Sequence, residues 1–132
     1  MIPDFDEHGY LPQGLHAATL AEVEERFARG SEIRAAQFES IVWLIDAATN
    51  CDVRRIVING SYVTDVSEPN DVDCVLLIGD NFEMEGDSEQ RLLALFPFLN
   101  VQLVDDEEFT DFVDFFATDR EGIEKGMVEV IR

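Results

Sequence analysis

Cysteine is scarce: the chain of 132 residues holds two, Cys51 and Cys74. Two thiols make neither a disulfide framework nor a metal cluster, so a cytoplasmic protein with free thiols is expected. Cations are scarce as well. Nine Lys plus Arg stand against 29 Asp plus Glu, a formal net charge of −20. Phosphate backbones are neutralised by clustered Lys and Arg, so no direct DNA or RNA binding is expected. Anionic membrane surfaces are disfavoured on the same ground. No run approaches the roughly 20 apolar residues of a membrane helix, and Met1-Ile2-Pro3-Asp4 lacks the regions of a signal peptide. What is present suffices for a core. Hydrophobic residues make up 46% of the chain and include ten Phe, which argues against charge-driven disorder. The length suits one domain. Any nucleotide must arrive with a metal or meet backbone donors, and a basic protein partner would be steered in.

Residues 1–18 carry Pro3, Gly9, Pro12 and Gly14 among isolated apolar residues. They read as an ordered irregular arm pinned by Phe5, Tyr10, Leu11 and Leu15. Thr19 and Glu22 have capping-box spacing and open a helix with Leu20, Val23 and Phe27 on one face, ended by Gly30. Ser31 caps a second helix to about Asn50, with an inward stripe of Phe38, Ile41, Val42, Ile45 and Ala48. Trp43 is assigned to the core or to helix packing, because no basic groove accompanies it as a stacking platform. Arg55–Asn59 is a strand closed by Gly60, Ser61–Asp65 a helical turn, and Asp71–Ile78 the strongest strand. A helix over Ser88–Phe96 is stopped by Pro97. A strand over Leu99–Val104 follows, then an acidic helix over Asp105–Phe116 burying Phe109, Phe112, Val113 and Phe116. Met127–Ile131 reads as an edge strand. The order predicts a small mixed β-sheet flanked by helices, an α/β (α+β) fold in a single domain.

One constellation carries chemistry. Gly60-Ser61 is followed, after a short gap, by Asp71-Val72-Asp73. Strand alternation sends Asp71 and Asp73 to one face, where two carboxylates repel unless a cation sits between them. Mg²⁺ suits such oxygen ligands and completes its shell with water and phosphate oxygens. Glycine at the end of the preceding strand lets a backbone approach a ligand closely. His8 and His16 are too far apart for a helical ligand pair and read as loop hydrogen-bonding residues. Cys74, on the other face from Asp73, reads as a core thiol, and Cys51 as packing where the second helix meets the first strand.

This pattern resembles the signature of the polymerase-β-like nucleotidyltransferase superfamily, an apolar strand with Gly-Ser followed by Asp-x-Asp on the next strand, closest to its small stand-alone bacterial members. The frame of Pro3-Asp4-Phe5-Asp6, Gly9-Tyr10-Leu11-Pro12, Gly14-Leu15-His16, Thr19 and Thr118-Asp119-Arg120-Glu121-Gly122 is similar to an uncharacterised bacterial family assigned to that fold. The resemblance implies transfer of a nucleoside monophosphate from an NTP to an acceptor hydroxyl, with Mg²⁺ or Mn²⁺. It gives Gly60 and Ser61 the triphosphate, and Asp71 and Asp73 both the metals and the catalytic role. Some small members are antitoxins that nucleotidylate a partner toxin, which makes a partner protein one candidate for the acceptor.

The chain departs from the pattern at one point. The superfamily supplies a third carboxylate from a neighbouring strand, where Val101-Gln102-Leu103 offers Gln102. A bulge near Val104 would bring Asp105 or Asp106 round instead. The site is therefore either complete by substitution or binds a nucleotide without turnover, as a sensor would. The acidic run from Asp105 to Glu108 reads as a solvated helix face, with its charge favourable at a helix start. The rival function is an inactive acidic protein of the same fold that binds and blocks a basic partner such as a toxin.

Overall fold

The computed structural model of the protein describes residues 2–83, 86–93 and 98–132. The elements in chain order are β1 (Leu15–Ala18), α1 (Leu20–Val23), α2 (Glu32–Thr49), β2 (Val53–Asn59), β3 (Val72–Ile78), α3 (Asp87–Leu93), β4 (Leu99–Val104), α4 (Asp106–Phe116) and β5 (Met127–Val130). A π-helical turn, Glu24–Ala28, continues α1, and a 3₁₀ turn, Gly60–Val63, follows β2. Helix starts are fixed by side chains. Thr19 and Glu22 form the capping box before α1, Ser31 caps α2, and Asp105 with Glu108 forms a second box before α4.

The five strands form one mixed sheet in the order β1-β5-β2-β3-β4. β2 runs antiparallel to both β3 and β5, whereas β3 is parallel to β4 and β1 to β5. A parallel neighbour requires a crossover, and the chain between β3 and β4 includes α3. Two corrections to the sequence reading follow. The N-terminal arm is not wholly irregular, because Leu15–Ala18 is the edge strand β1. The C-terminal strand is interior rather than an edge, held between β1 and β2.

Alternation divides the core in two. One face carries Ile56, Ile58, Val72, Cys74, Leu76 and Val128 against α1, α2 and the buried Leu92 of α3. The other carries Val57, Val75, Leu77, Val104 and Met127 against Phe109, Phe112, Val113 and Phe116 of α4. Phe109 is buried, while the other three are half-buried. Arg55 clamps this layer: it donates to both Glu129 oxygens at 2.8 and 2.6 Å, and its guanidinium lies 4.6 Å from the Phe109 ring.

The stripe of α2 also differs from the periodicity reading. Val42 and Trp43 are exposed, Trp43 at 64%, whereas Leu44 is fully buried. The inward face instead begins with polar residues, Arg34 and Gln37, that serve the loop described below. Cys51 and Cys74 are buried as expected, and burial pushes the Cys74 thiol well above its usual range. The helix expected over Ser88–Phe96 starts at Asp87, and its last residues, with Pro97, lie outside the described residues. No helix among the described residues is long and apolar enough to cross a membrane.

Candidate active site at the end of the sheet

The predicted site residues converge where β2 ends and β3 begins. Asn59 pairs directly with Asp73 across the antiparallel ladder, and Asp73 pairs with Asn100 across the parallel one. Directly opposed residues share a face, so Asn59, Asp73 and Asn100 form a polar row on the α4 side. Asp71 immediately precedes the strand and is exposed; Asp73 is half-buried. Asn100 Nδ2 donates to Asp73 Oδ1 at 3.1 Å.

Gly60 closes the row from above. Its φ is +77°, and a Cβ there would collide with Asp73 Oδ2. Glycine is required twice over, for the left-handed backbone and for the close approach to a carboxylate. Ser61 follows, half-buried, in the 3₁₀ turn, and the fully buried Tyr62 anchors that turn in the core. Burial, and next the charge of Asp71, raise the Asp73 pKa above the ordinary carboxylate value; the Asn100 hydrogen bond and Lys125 oppose this. A half-buried carboxylate beside a second, exposed one is stabilised by a cation between them. Asn59 adds a second unmet demand: it is fully buried, and neither amide atom has a protein hydrogen-bond partner. A buried amide is ordinarily paired, which sets this one apart from the rest of the row.

The third-carboxylate question is settled by register. Gln102 lies opposite Val75 and shares its face, one pair deeper than Asn100. Both candidates for that position are therefore neutral amides. Asp105 follows Val104, the partner of Leu77, at the far end of the strand pair. At about 3.3 Å per residue it is about 16 Å from Asp73, and its carboxylate is occupied capping the Glu108 N–H at 2.9 Å. Asp106 opens α4 at the same end. Neither joins the site. Among the described residues no group of three His, Cys, Asp or Glu is arranged to hold a metal. Two carboxylates still match the Mg²⁺ pattern, in which water and phosphate oxygens complete the shell.

The loop from the Gly-Ser turn to the Asp-x-Asp strand is pinned from one face of α2. Ser31 Oγ donates to Ser67 O at 2.9 Å, and Gln37 Nε2 to Pro69 O at 2.6 Å. Between them, Arg34 donates to Phe27 O, Tyr62 O, Thr64 O and Val66 O, at 3.1, 2.8, 2.8 and 3.0 Å. Arg34 and Gln37 were not singled out from the sequence, and Ser31 only as a helix cap. Their spacing of three places them on one helix face, a pattern that a search for apolar periodicity passes over.

A second flank joins two segments that the sequence reading named separately. Tyr10 bridges to Thr64 beside the Gly-Ser turn, and its hydroxyl donates to Asp119 Oδ2 at 2.7 Å. Asp119 Oδ1 accepts from the N–H groups of Glu121 and Ile123, both at 2.9 Å. That network shapes the turn leading to Lys125, which lies close enough to lower the pKa of both Asp73 and Asp119. The Tyr10 hydrogen bond, and then backbone donors, hold Asp119 below the usual carboxylate range. A depressed carboxylate stabilises the fold above its unfolded pKa and loses that contribution as pH falls through the folded pKa. Tyr10→Phe should therefore raise the Asp119 pKa towards the ordinary value, which an NMR titration of its carboxyl carbon reads directly. An unmoved Asp119 would exclude the bond as the cause. His16, for its part, has Nε2 at 2.6 Å from Pro12 O, a local loop contact of the kind expected.

Against known proteins, no curated protein and no solved structure matches the chain. Residues 3–131 match a family described as "Family of unknown function (DUF6932)". The match spans the N-terminal arm, the Gly-Ser/Asp-x-Asp site and the Asp119 turn together, and the chain belongs to that family.

Proposed function

We propose that the protein binds a metal-bound nucleoside triphosphate at Gly60, Ser61, Asp71 and Asp73 and transfers its nucleoside monophosphate to an acceptor hydroxyl. The observation that carries this reading is the close approach of the Gly60 backbone to Asp73, with Asp71 next to it. It puts a side-chain-free stretch of backbone beside two carboxylates, as a triphosphate bridged to a metal requires. Asp71 and Asp73 would hold the metal, and Gly60 and Ser61 the phosphates. The metal, Mg²⁺ or Mn²⁺, supplies charge neutralisation at the phosphates when bound. In the transfer, the acceptor oxygen bonds to the α-phosphorus, the bond from that phosphorus to the β-phosphate oxygen breaks, and pyrophosphate leaves. The hydroxyl proton passes to water, since Asn100 and Gln102 are not bases. With a net charge of −20, the acceptor best suited to this surface is a hydroxyl on a basic protein, such as a toxin.

A second reading is favoured by those two amides. Without a third carboxylate the site would hold Mg-NTP and release it unchanged. Calorimetry with each of the four NTPs, with and without Mg²⁺, separates metal-dependent binding from none. The proposal expects binding that requires Mg²⁺ and is lost in Asp71→Asn/Asp73→Asn. Binding that persists in that variant would refute the assignment of the site.

A further inference from the structure

A cleft of about 760 Å³ opens at the C-terminal end of α4 and is lined by Phe115, Phe116, Thr118, Arg120 and Lys125, with Asp114 and Asp119 on its walls. Its lining balances two cations with two carboxylates, in a chain whose net charge is −20. Arg26, Arg29, Arg34, Arg54, Arg55 and Arg132 each donate to a backbone carbonyl or pair with a carboxylate. Among the described residues, the side chains of Arg120 and Lys125 have no partner at hydrogen-bond or ion-pair distance, and both line this one cleft. Beside them Phe115 is 72% exposed, its ring held edge-on against Phe116 at 5.1 Å between centroids. A fixed and uncovered aromatic ring next to two unpaired cations suits a ligand that is flat at one end and multiply anionic at the other. The antiparallel register of β5 on β2, with Glu129 opposite Val57 and Val128 opposite Ile58, brings Lys125 to the Gly60 end of β2, where Asp73 also stands, and so joins the cleft to the carboxylate pair.

We propose that this cleft is the nucleoside and phosphate-tail subsite of the NTP, an inference that rests on the function proposed above. The base stacks on Phe115, and Arg120 and Lys125 neutralise the phosphates on their way to Asp71 and Asp73. Asp114 repels the phosphates and accepts from ribose hydroxyls. The Asp119 turn, tied to the arm through Tyr10, holds the backbone that carries Arg120. A purine, with the larger π-face, is preferred over a pyrimidine.

Calorimetry with Mg-ATP and with magnesium tripolyphosphate, which has the charge and no base, tests the assignment. Base–aromatic stacking is worth enough that Phe115→Ala should weaken Mg-ATP by about tenfold, while tripolyphosphate binding stays as in wild type. Arg120→Met/Lys125→Met should weaken both ligands. Phe115 is exposed, so the variant keeps its fold, and its melting curve checks this. Equal Mg-ATP affinity in Phe115→Ala and wild type would overturn the subsite and leave the carboxylate site standing. So would wild-type protein binding tripolyphosphate as tightly as ATP. If wild type binds neither ligand, the proposed function fails and the subsite with it.

Discussion

Asp71→Asn/Asp73→Asn is expected to melt above the wild type without ligand and below it with saturating Mg-NTP. The first half follows from the fold alone. Asp73 is held as a half-buried carboxylate beside a second one, and its ionised form is disfavoured there by burial and by Asp71. Amides of the same shape remove that repulsion. The second half follows from linkage, since a ligand at a hundredfold over its Kd stabilises the native state by about 2.7 kcal/mol. Only the wild type should gain it. Thermal unfolding of both proteins, with and without ligand, reads the reversal. A variant that melts lower in both conditions would mean that the aspartates are structural.

The second large effect is on the scaffold. Arg34→Met should destabilise the protein by about 3 kcal/mol, because buried carbonyls that lose their donor each cost about 1–3 kcal/mol. Part of that loss is offset, since the guanidinium is itself desolvated and its pKa is lowered by burial. Arg34→Lys should restore little. A lysine presents three donors at one point, whereas here a planar fork reaches four carbonyls spread from Phe27 to Val66. Urea unfolding of wild type and both variants measures this. A loss under 1 kcal/mol for Arg34→Met would mean that the loop holds its shape without it.

Local signals in the sequence were reliable where they were self-contained. The Thr19/Glu22 capping box, the strand over Leu99–Val104 and the acidic helix after Asp105 stand as expected, because each is written within a few residues. Gly60 and Asp73 do meet, since register between adjacent strands follows from a short connection. The stripe of α2 was misphased at Val42 for a physical reason. Arg34 and Gln37 occupy core-facing positions, so the apolar count alone points about one residue off. The places of β1 and β5 were out of reach, because these four-residue strands owe their existence to distant partners, β1 and β5 to each other across more than a hundred residues and β5 to β2 across about seventy. The same holds for the cleft. Nothing within Thr118–Lys125 says that it returns to the Gly60 end of the sheet; sheet order brings it there, with β5 placed beside β2.

Gln102, the position singled out from the sequence, stands opposite Val75 and not opposite Asp73. Asn100, two residues earlier, is the amide that meets Asp73, because the parallel register pairs them directly. Two neutral amides on the face where an acid is expected leave nucleotide transfer as the claim most open to disproof.

The direct test is label transfer from an α-phosphate-labelled NTP, with Mg²⁺ or Mn²⁺, into co-purified or lysate proteins. Wild type should place label on a basic protein, and Asp71→Asn/Asp73→Asn should place none. No transfer with any of the four NTPs, while a partner still co-purifies with wild type and variant alike, would contradict the account and leave an acidic binding protein in its place.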